Sequence, residues 1–221
     1  MMDLEQLTAS FRVDADDLHE PYLFQNEWIA GWLSEAQEEA ALRGRLIFDD
    51  ATPAVCQIAV TAGNAVYPLH RTVAEIADLR FVASGSIEST ALSLVSREWL
   101  QQRRSRWRDE AGEPAFAIQT DLSIRLVPTP NVDGLLRLEV QRLPLKVLEN
   151  DTDKPEIHSG HHRHLVHWAL HRAFSRPDSE TVDPQRADRA LAAFTAYFGP
   201  RPDSDLRRIT RHDQPQTNEL W

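Results

Sequence analysis

An α+β fold is predicted from three features of the sequence. Apolar residues recur at helical spacing near both ends of the chain, they alternate with polar ones through the middle, and the final 22 residues are polar and broken by proline. Helices that bracket a β region pack most simply as one bundle, with the sheet inserted as a second lobe. The expected layout is a helical bundle from residues 1–50 and 155–199, an antiparallel β-rich lobe from 51–154, and an extended C-terminal tail from 200–221. A chain of 221 residues can bury a substantial core, as one body or as two small ones packed closely, and one compact body is the simpler count.

Met2 to Phe11 reads as a short helix, followed by the polar break Asp14-Ala15-Asp16-Asp17. The next signal is stronger. From Asn26, the expected N-cap, to Arg43, apolar residues fall at Trp28, Ile29, Trp32, Leu33, Ala36 and Ala40, one stripe on one helix face, and Gly44 supplies a stop. At 1.5 Å per residue this helix is about 27 Å long. Glu35, Gln37, Glu38 and Glu39 are expected on its opposite, wet side.

Between Thr52 and Leu145 the period changes to two. Val55 to Val60, the turn Ala62-Gly63-Asn64, and Ala65 to Tyr67 read as a hairpin closed by Pro68, since Gly and Asn accept the positive φ of a tight loop. A strand from Asp78 to Val82 reaches the turn Ser84-Gly85-Ser86, and Ser96 can cap a short helix from Arg97 to about Arg104. Strands resume at Phe116, with Ile118 and then Leu122, Ile124 and Leu126 in alternation. Pro128 to Gly134 turns the chain, and Leu136, Leu138 and Val140 face one way against Arg137, Glu139 and Gln141, the pattern of a half-buried antiparallel sheet.

After the polar loop from Glu149 to Pro155, helical spacing returns from His161 to Ser175. A second helix is capped by Asp183, carries Pro184 in its first turn, shows the stripe Leu191, Phe194 and Phe198, and stops at Gly199-Pro200. No internal repeat is present. The tail balances four arginines with four acids and holds too little apolar surface to order alone. Its Leu206, Ile209 and terminal Leu220-Trp221 suit a peptide that orders on a partner.

Apolar content of 42% and charged content of 26% are ordinary globular values, and no apolar run approaches the roughly 20 residues of a bilayer span. Met1 to Glu5 shows no basic region followed by an apolar stretch, so the expectation is a chain made and folded in the cytosol with no membrane partner. The single cysteine, Cys56, excludes an internal disulfide and a cysteine-rich zinc site. Its neighbours Val55 and Ile58 suggest a packed strand thiol. A net charge of −10 argues against a dedicated nucleic-acid binder, whose affinity rests on neutralising phosphates. The charge is also polarised. Residues 1–50 hold twelve acids against three bases, whereas Arg97 to Arg108 holds five arginines against the one acid Glu98.

Six of the nine histidines fall between His158 and His171. On a helix turning about 100° per residue, His164, His167 and His171 share an arc of roughly 60°, and imidazoles so spaced can share zinc. That arc lies opposite the centre of the apolar arc of Leu165, Val166, Ala169, Leu170 and Ala173, so a solvated face is the stronger reading. No Gly-x-Ser-x-Gly elbow and no phosphate-cradling glycine loop occurs. The cluster Arg103-Arg104-Ser105-Arg106-Trp107-Arg108 could touch phosphates, with Trp107 stacking on a base, but a solvated basic face or a protein contact is the stronger reading. A basic stripe and an acidic helix on one subunit suit a head-to-tail ring.

A family resemblance is carried by Glu20-Pro21-Tyr22-Leu23-Phe24 running into the helix Trp28 to Ala41; by Thr52-Pro53-Ala54-Val55 with Ala62-Gly63-x-Ala65-x-Tyr67; and by Ser96-Arg97-Glu98-x-Leu100. It continues in Arg125-Leu126-Val127-Pro128-Thr129-Pro130, Arg142-Leu143-Pro144-Leu145, Pro155-Glu156-Ile157, Leu165-Val166-x-Trp168-Ala169-Leu170-His171-Arg172-Ala173 and Phe198-Gly199-Pro200-Arg201-Pro202. On these stretches, which span most of the chain, it resembles the phage head-to-tail adaptors, or connectors, of short-tailed phages, related in kind to tail tubular protein A. The segment His158 to His162 departs from that pattern in being rich in histidine.

The resemblance implies a structural virion protein with no active site and no cofactor. It implies a homo-oligomeric ring of twelve copies between the portal protein and the tail nozzle protein, with tail fibres a further candidate partner. Double-stranded DNA would pass through the channel, without specific binding, in packaging, retention and ejection. The expected location is the head-tail interface of the virion, after assembly in the host cytoplasm. An acidic lumen repels phosphates, which makes Glu35, Glu38 and Glu39 candidates for the channel or for a neighbouring subunit. Arg103, Arg104, Arg106 and Arg108 are candidates for the subunit interface, and Leu206, Arg207, Arg208, Ile209, Leu220 and Trp221 for docking on the portal. Two other readings compete: a histidine-site metalloprotein, such as a hydrolase with an accessory β lobe, and a nucleic-acid-binding module.

Overall fold

The computed structural model describes residues 1–177 and 181–202, and in chain order its first elements are α1 (Leu4–Ala15), α2 (Asn26–Gly44), β1 (Phe48–Asp49), α3 (Pro53–Cys56), β2 (Gln57–Val60) and β3 (Val66–Pro68). Then come β4 (Val73–Ala83), β5 (Thr90–Ala91), β6 (Ser93–Leu94), α4 (Arg97–Arg103), β7 (Ala111–Gly112) and β8 (Phe116–Gln119). β9 (Ser123–Val127), β10 (Thr129–Pro130), β11 (Gly134–Arg142), α5 (Leu165–Phe174) and α6 (Pro184–Phe198) complete the described chain, with a 3₁₀ turn at Ser159–His164 leading into α5. The fold is α+β. The chain forms two compact units, one from residues 1–47 with 142–201 and the other built on residues 48–141.

The first unit is helical. Asp3 caps α1 by accepting from Gln6 N while Gln6 Oε1 accepts from Asp3 N, so two orphan donors are satisfied together. The helix runs one turn past Phe11, because Arg12 is drawn inward and Ala15 is buried beneath it in the stripe of Leu4, Leu7 and Phe11. In α2 two expectations are corrected. Gln25, not Asn26, takes the N-cap position, since the Asn26 side chain is committed to Arg12; and Gly44 stays inside the last turn while Arg45 adopts the left-handed conformation at φ 50°. Gln37, expected in water, is 1% exposed. It donates to Lys146 O at 2.9 Å, and its Oε1 accepts from Glu156 N, pinning the segment after β11 along α2. Ser34 does the same through Leu148 O and N.

α5 packs against α1, α2 and α6 and contributes Leu165, Val166, Ala169, Leu170, Ala173 and Phe174 to one core. Phe24 sits edge-on to Phe11, Trp32 and Phe174 with ring centroids 5.5–6.0 Å apart, the geometry aromatic pairs favour. As predicted, Asp183 caps α6 by accepting from Arg186 N, Pro184 occupies the first turn, and Gly199 ends the helix at φ 91°.

The second unit holds a five-stranded sheet in the order β1-β11-β4-β5 with β2 also on β11, a four-stranded sheet β3-β9-β8-β6, and the short pair β10-β7. Here the predicted hairpin at 55–67 is overturned. β2 pairs antiparallel with β11, Ile58 opposite Leu136, while β3 pairs antiparallel with β9, Tyr67 opposite Ile124. Residues 61–65 therefore carry the chain from one sheet to the other. They are held by Gly63 N on Pro130 O, by Ala62 N on Asp133 Oδ1, and by the Tyr67 hydroxyl between Thr61 and Asn64. Val55 and Cys56 lie in the helical turn α3 and not on a strand; the thiol is buried 3.3 Å from Asp49 O. β4 begins at Val73, earlier than Asp78, because Val73 and Ile76 are buried in the same core as Leu79 and Phe81. Leu122 is 69% exposed in the turn before β9 and is not part of the stripe. Leu136, Leu138 and Val140 are buried as their alternation requires.

Candidate interaction surfaces

The acidic helix is largely spent within its own unit. Glu35 accepts from Arg172 Nε at 2.9 Å and from Trp168 Nε1 at 3.4 Å. Glu39 pairs with Arg43 at 2.9 Å and with Arg201 at 3.2 Å, and its side chain is mostly buried. Only Glu38 of the three predicted acids is exposed without an ion pair among the described residues.

A different set of carboxylates converges elsewhere in the same unit. Glu5 in the first turn of α1, Glu27 in the first turn of α2, and Glu149 and Asp151 on the loop after β11 line a groove of about 390 Å³ with Thr8 and Asn26. All four acids are exposed, and none has an ion pair among the described residues. The loop is shaped by Asp153, which accepts from Glu149 N and Asn150 N; these bonds hold its carboxyl below the usual carboxylate range. Leu4 N and Glu5 N donate to Asp153 O and Asp151 O, seating the loop against the start of α1. Sequence reading missed this groove because its acids are far apart in the chain.

In the second unit the predicted arginine cluster is present, but its tryptophan is placed differently. Trp107 is 2% exposed in a small core with Val95, Leu100, Ile118 and Val127, so stacking on a base is excluded by its burial. Around this core the arginines lie over aromatic rings: Arg103 at 4.4 Å from the Trp99 centroid, Arg108 at 4.2 Å from Trp107, and Arg104 at 5.2 Å from Phe116. Arg104 is also paired with Glu110 at 3.2 Å, and Arg108 donates to Gln101 Oε1 at 2.8 Å. Arg106 is exposed without an ion pair among the described residues.

The histidines do not share one solvated face. His162 is fully buried between Met2 and Ile157, with ring nitrogens 2.9 and 3.0 Å from their carbonyl oxygens. His164 stacks on Tyr197 of α6 at 3.5 Å, His161 Nδ1 lies 3.1 Å from the Tyr197 hydroxyl, and His171 Nδ1 lies 3.1 Å from Ala187 O. The arc opposite the core is thus partly covered by α6, an arrangement that helical periodicity alone cannot foresee. Burial, followed by cationic neighbours, pushes His161, His164 and His167 below the ordinary histidine value. Among the described residues no group of three or more His, Cys, Asp or Glu side chains is placed to hold a metal ion. Leu206, Arg207, Arg208, Ile209, Leu220 and Trp221 lie outside the described residues. No described helix is long and apolar enough to cross a membrane.

Polar side chains in the described residues are spent mainly on holding helices, caps and loops in place around three packed cores. The chain belongs to the SU10 adaptor protein family, whose profile matches residues 2–218. It is a structural protein of the phage head-to-tail adaptor kind, which places it at the head-tail interface of the virion. No curated protein matches the chain.

Proposed function

We propose that the chain is a non-enzymatic subunit of a twelve-membered ring joining the portal to the tail nozzle, around a channel for packaging, retention and ejection of the genome. The observation that carries this reading is the family match over nearly the whole chain. The helical bundle, the β lobe and the tail of residues 200–221 are its working parts, with the tail docking on the portal through Leu206, Arg207, Arg208, Ile209, Leu220 and Trp221. Of Glu35, Glu38 and Glu39, Glu38 is the one available to face DNA in the channel, where like charge keeps the duplex from adhering. Glu35 and Glu39 act first as ties within the bundle. The free chain stays monomeric until a portal templates it.

Electron microscopy of the full chain mixed with purified portal tests the reading. The expected result is a closed twelve-fold layer on one face of the portal; portals left bare under assembly conditions would refute it.

A further inference from the structure

The geometry points to a head-to-tail contact between copies, in which the arginine face of the second unit, carried by Arg103, Arg106 and Arg108, seats against the groove of Glu5, Glu27, Glu149 and Asp151 on the first unit of a second copy. This rests on the ring reading above and names the surfaces that would close it.

The arginine face is built for contact. Arg103 and Arg108 place their guanidinium carbons 4.4 and 4.2 Å from the ring centroids of Trp99 and Trp107, so cation–π attraction restrains both side chains before any partner arrives. That lowers the side-chain ordering cost which usually weakens exposed ion pairs. Trp107 itself is anchored in a packed core with Leu100 and Ile118, which makes the platform rigid. The stretch from Arg97 to Glu110 sets five arginines against Glu98, Asp109 and Glu110, the last of these paired with Arg104, so positive charge is in excess on this face.

A complementary surface exists on the same chain, and it is not the outer face of α2. Glu35 and Glu39 are satisfied by Arg172, Arg43 and Arg201 of their own unit. Glu5, Glu27, Glu149 and Asp151 are exposed around one groove without an ion pair among the described residues. Placement in first helical turns accounts for Glu5 and Glu27, which the helix dipoles stabilise. It does not account for Glu149 and Asp151, which come from a separate loop and add two more negative charges to the same groove. Nucleic acid is a poor occupant of the arginine face, because Trp107 is buried away from any base and the molecule carries a net charge of −10. An acidic protein surface suits it, and the second copy supplies one in equal number, as a closed heterologous ring requires.

Charge reversal in the full chain tests this, read as ring occupancy on purified portal by electron microscopy at moderate salt. R103E with R106E, and separately E27K with D151K, should each lower ring occupancy at least tenfold, and the chain carrying all four changes should recover most of it. The milder pairs R103Q with R106Q and E27Q with D151N should give intermediate losses, and melting temperatures within a few degrees of wild type show that the variants fold. Rings indifferent to either reversed pair, or not rescued by the fourfold variant, would overturn the contact while leaving the ring reading intact. A wild-type chain that forms no ring removes both. Salt-sensitive retention of duplex DNA, abolished by R103E with R106E while rings persist, would reassign the face to nucleic acid.

Discussion

At the level of single residues, the bundle holds a buried ion pair that hydrophobic patterning does not reveal. Arg12 Nη1 donates to Asp17 Oδ2 at 2.6 Å, while Nη2 donates to Phe24 O and Asn26 Oδ1; Asp17 in turn accepts from Leu23 N and Phe24 N. Both side chains are nearly buried, so D17A strands a guanidinium and should cost about 3–5 kcal/mol, measured by denaturant unfolding. A loss near zero would show that the arginine escapes to water. Protonation gives a second prediction. His161, His164 and His167 take up protons less readily in the folded bundle than an ordinary histidine at 6.5, first because burial disfavours the charged ring and then because other cations lie nearby. The unfolded chain therefore binds those protons at higher pH. Their contribution is fully present above about 6.5 and is lost as the pH falls through that value toward the lowered folded ones. The melting temperature should fall between about pH 7.5 and 5.5, and less steeply in H164N. A flat profile would contradict the packing of His164 on Tyr197.

Among elements, the helices were the most legible. Three- and four-residue spacing, Asp183-Pro184 and Gly199 locate α6 because its cap and stop chemistry act within one turn of the backbone. Strand partners were not legible, since the side chains of β2 and β3 alternate correctly whether they pair with each other or with β11 and β9. What decides is contact with the 130–134 turn, some seventy residues away. One consequence is testable at β11. A Cβ on Gly134 would meet Val82 O at 2.5 Å and the Phe81 ring at 2.5–2.6 Å, so the backbones of β11 and β4 approach more closely there than any side chain permits. G134A should destabilise by about 1–3 kcal/mol as the strands are forced apart. An unchanged melting temperature would mean that β11 and β4 yield freely at this end of their pairing. The small core around Trp107 belongs to this scale too: W107A opens a cavity under the arginine face and should cost about 3–5 kcal/mol.

For the molecule as a whole, the described cores draw on no residue beyond Phe198. A chain ending after Pro202 should keep its melting temperature within a degree or two and lose affinity for the portal; binding at full strength would remove the tail from the docking surface. By itself the sequence determined the α+β class, the amphipathic helices with most of their caps and stops, the solitary buried thiol, the polarised charge and the family resemblance. Each of these is written in local spacing or in short contiguous stretches. The tertiary structure alone decided which acids are spent inside the bundle, that Trp107 is core, that the histidine arc meets α6, and that four carboxylates from three segments converge on one groove. The physical reason is that side-chain charge and burial are settled by neighbours distant in sequence, and only a folded backbone brings them within hydrogen-bonding or Coulombic reach.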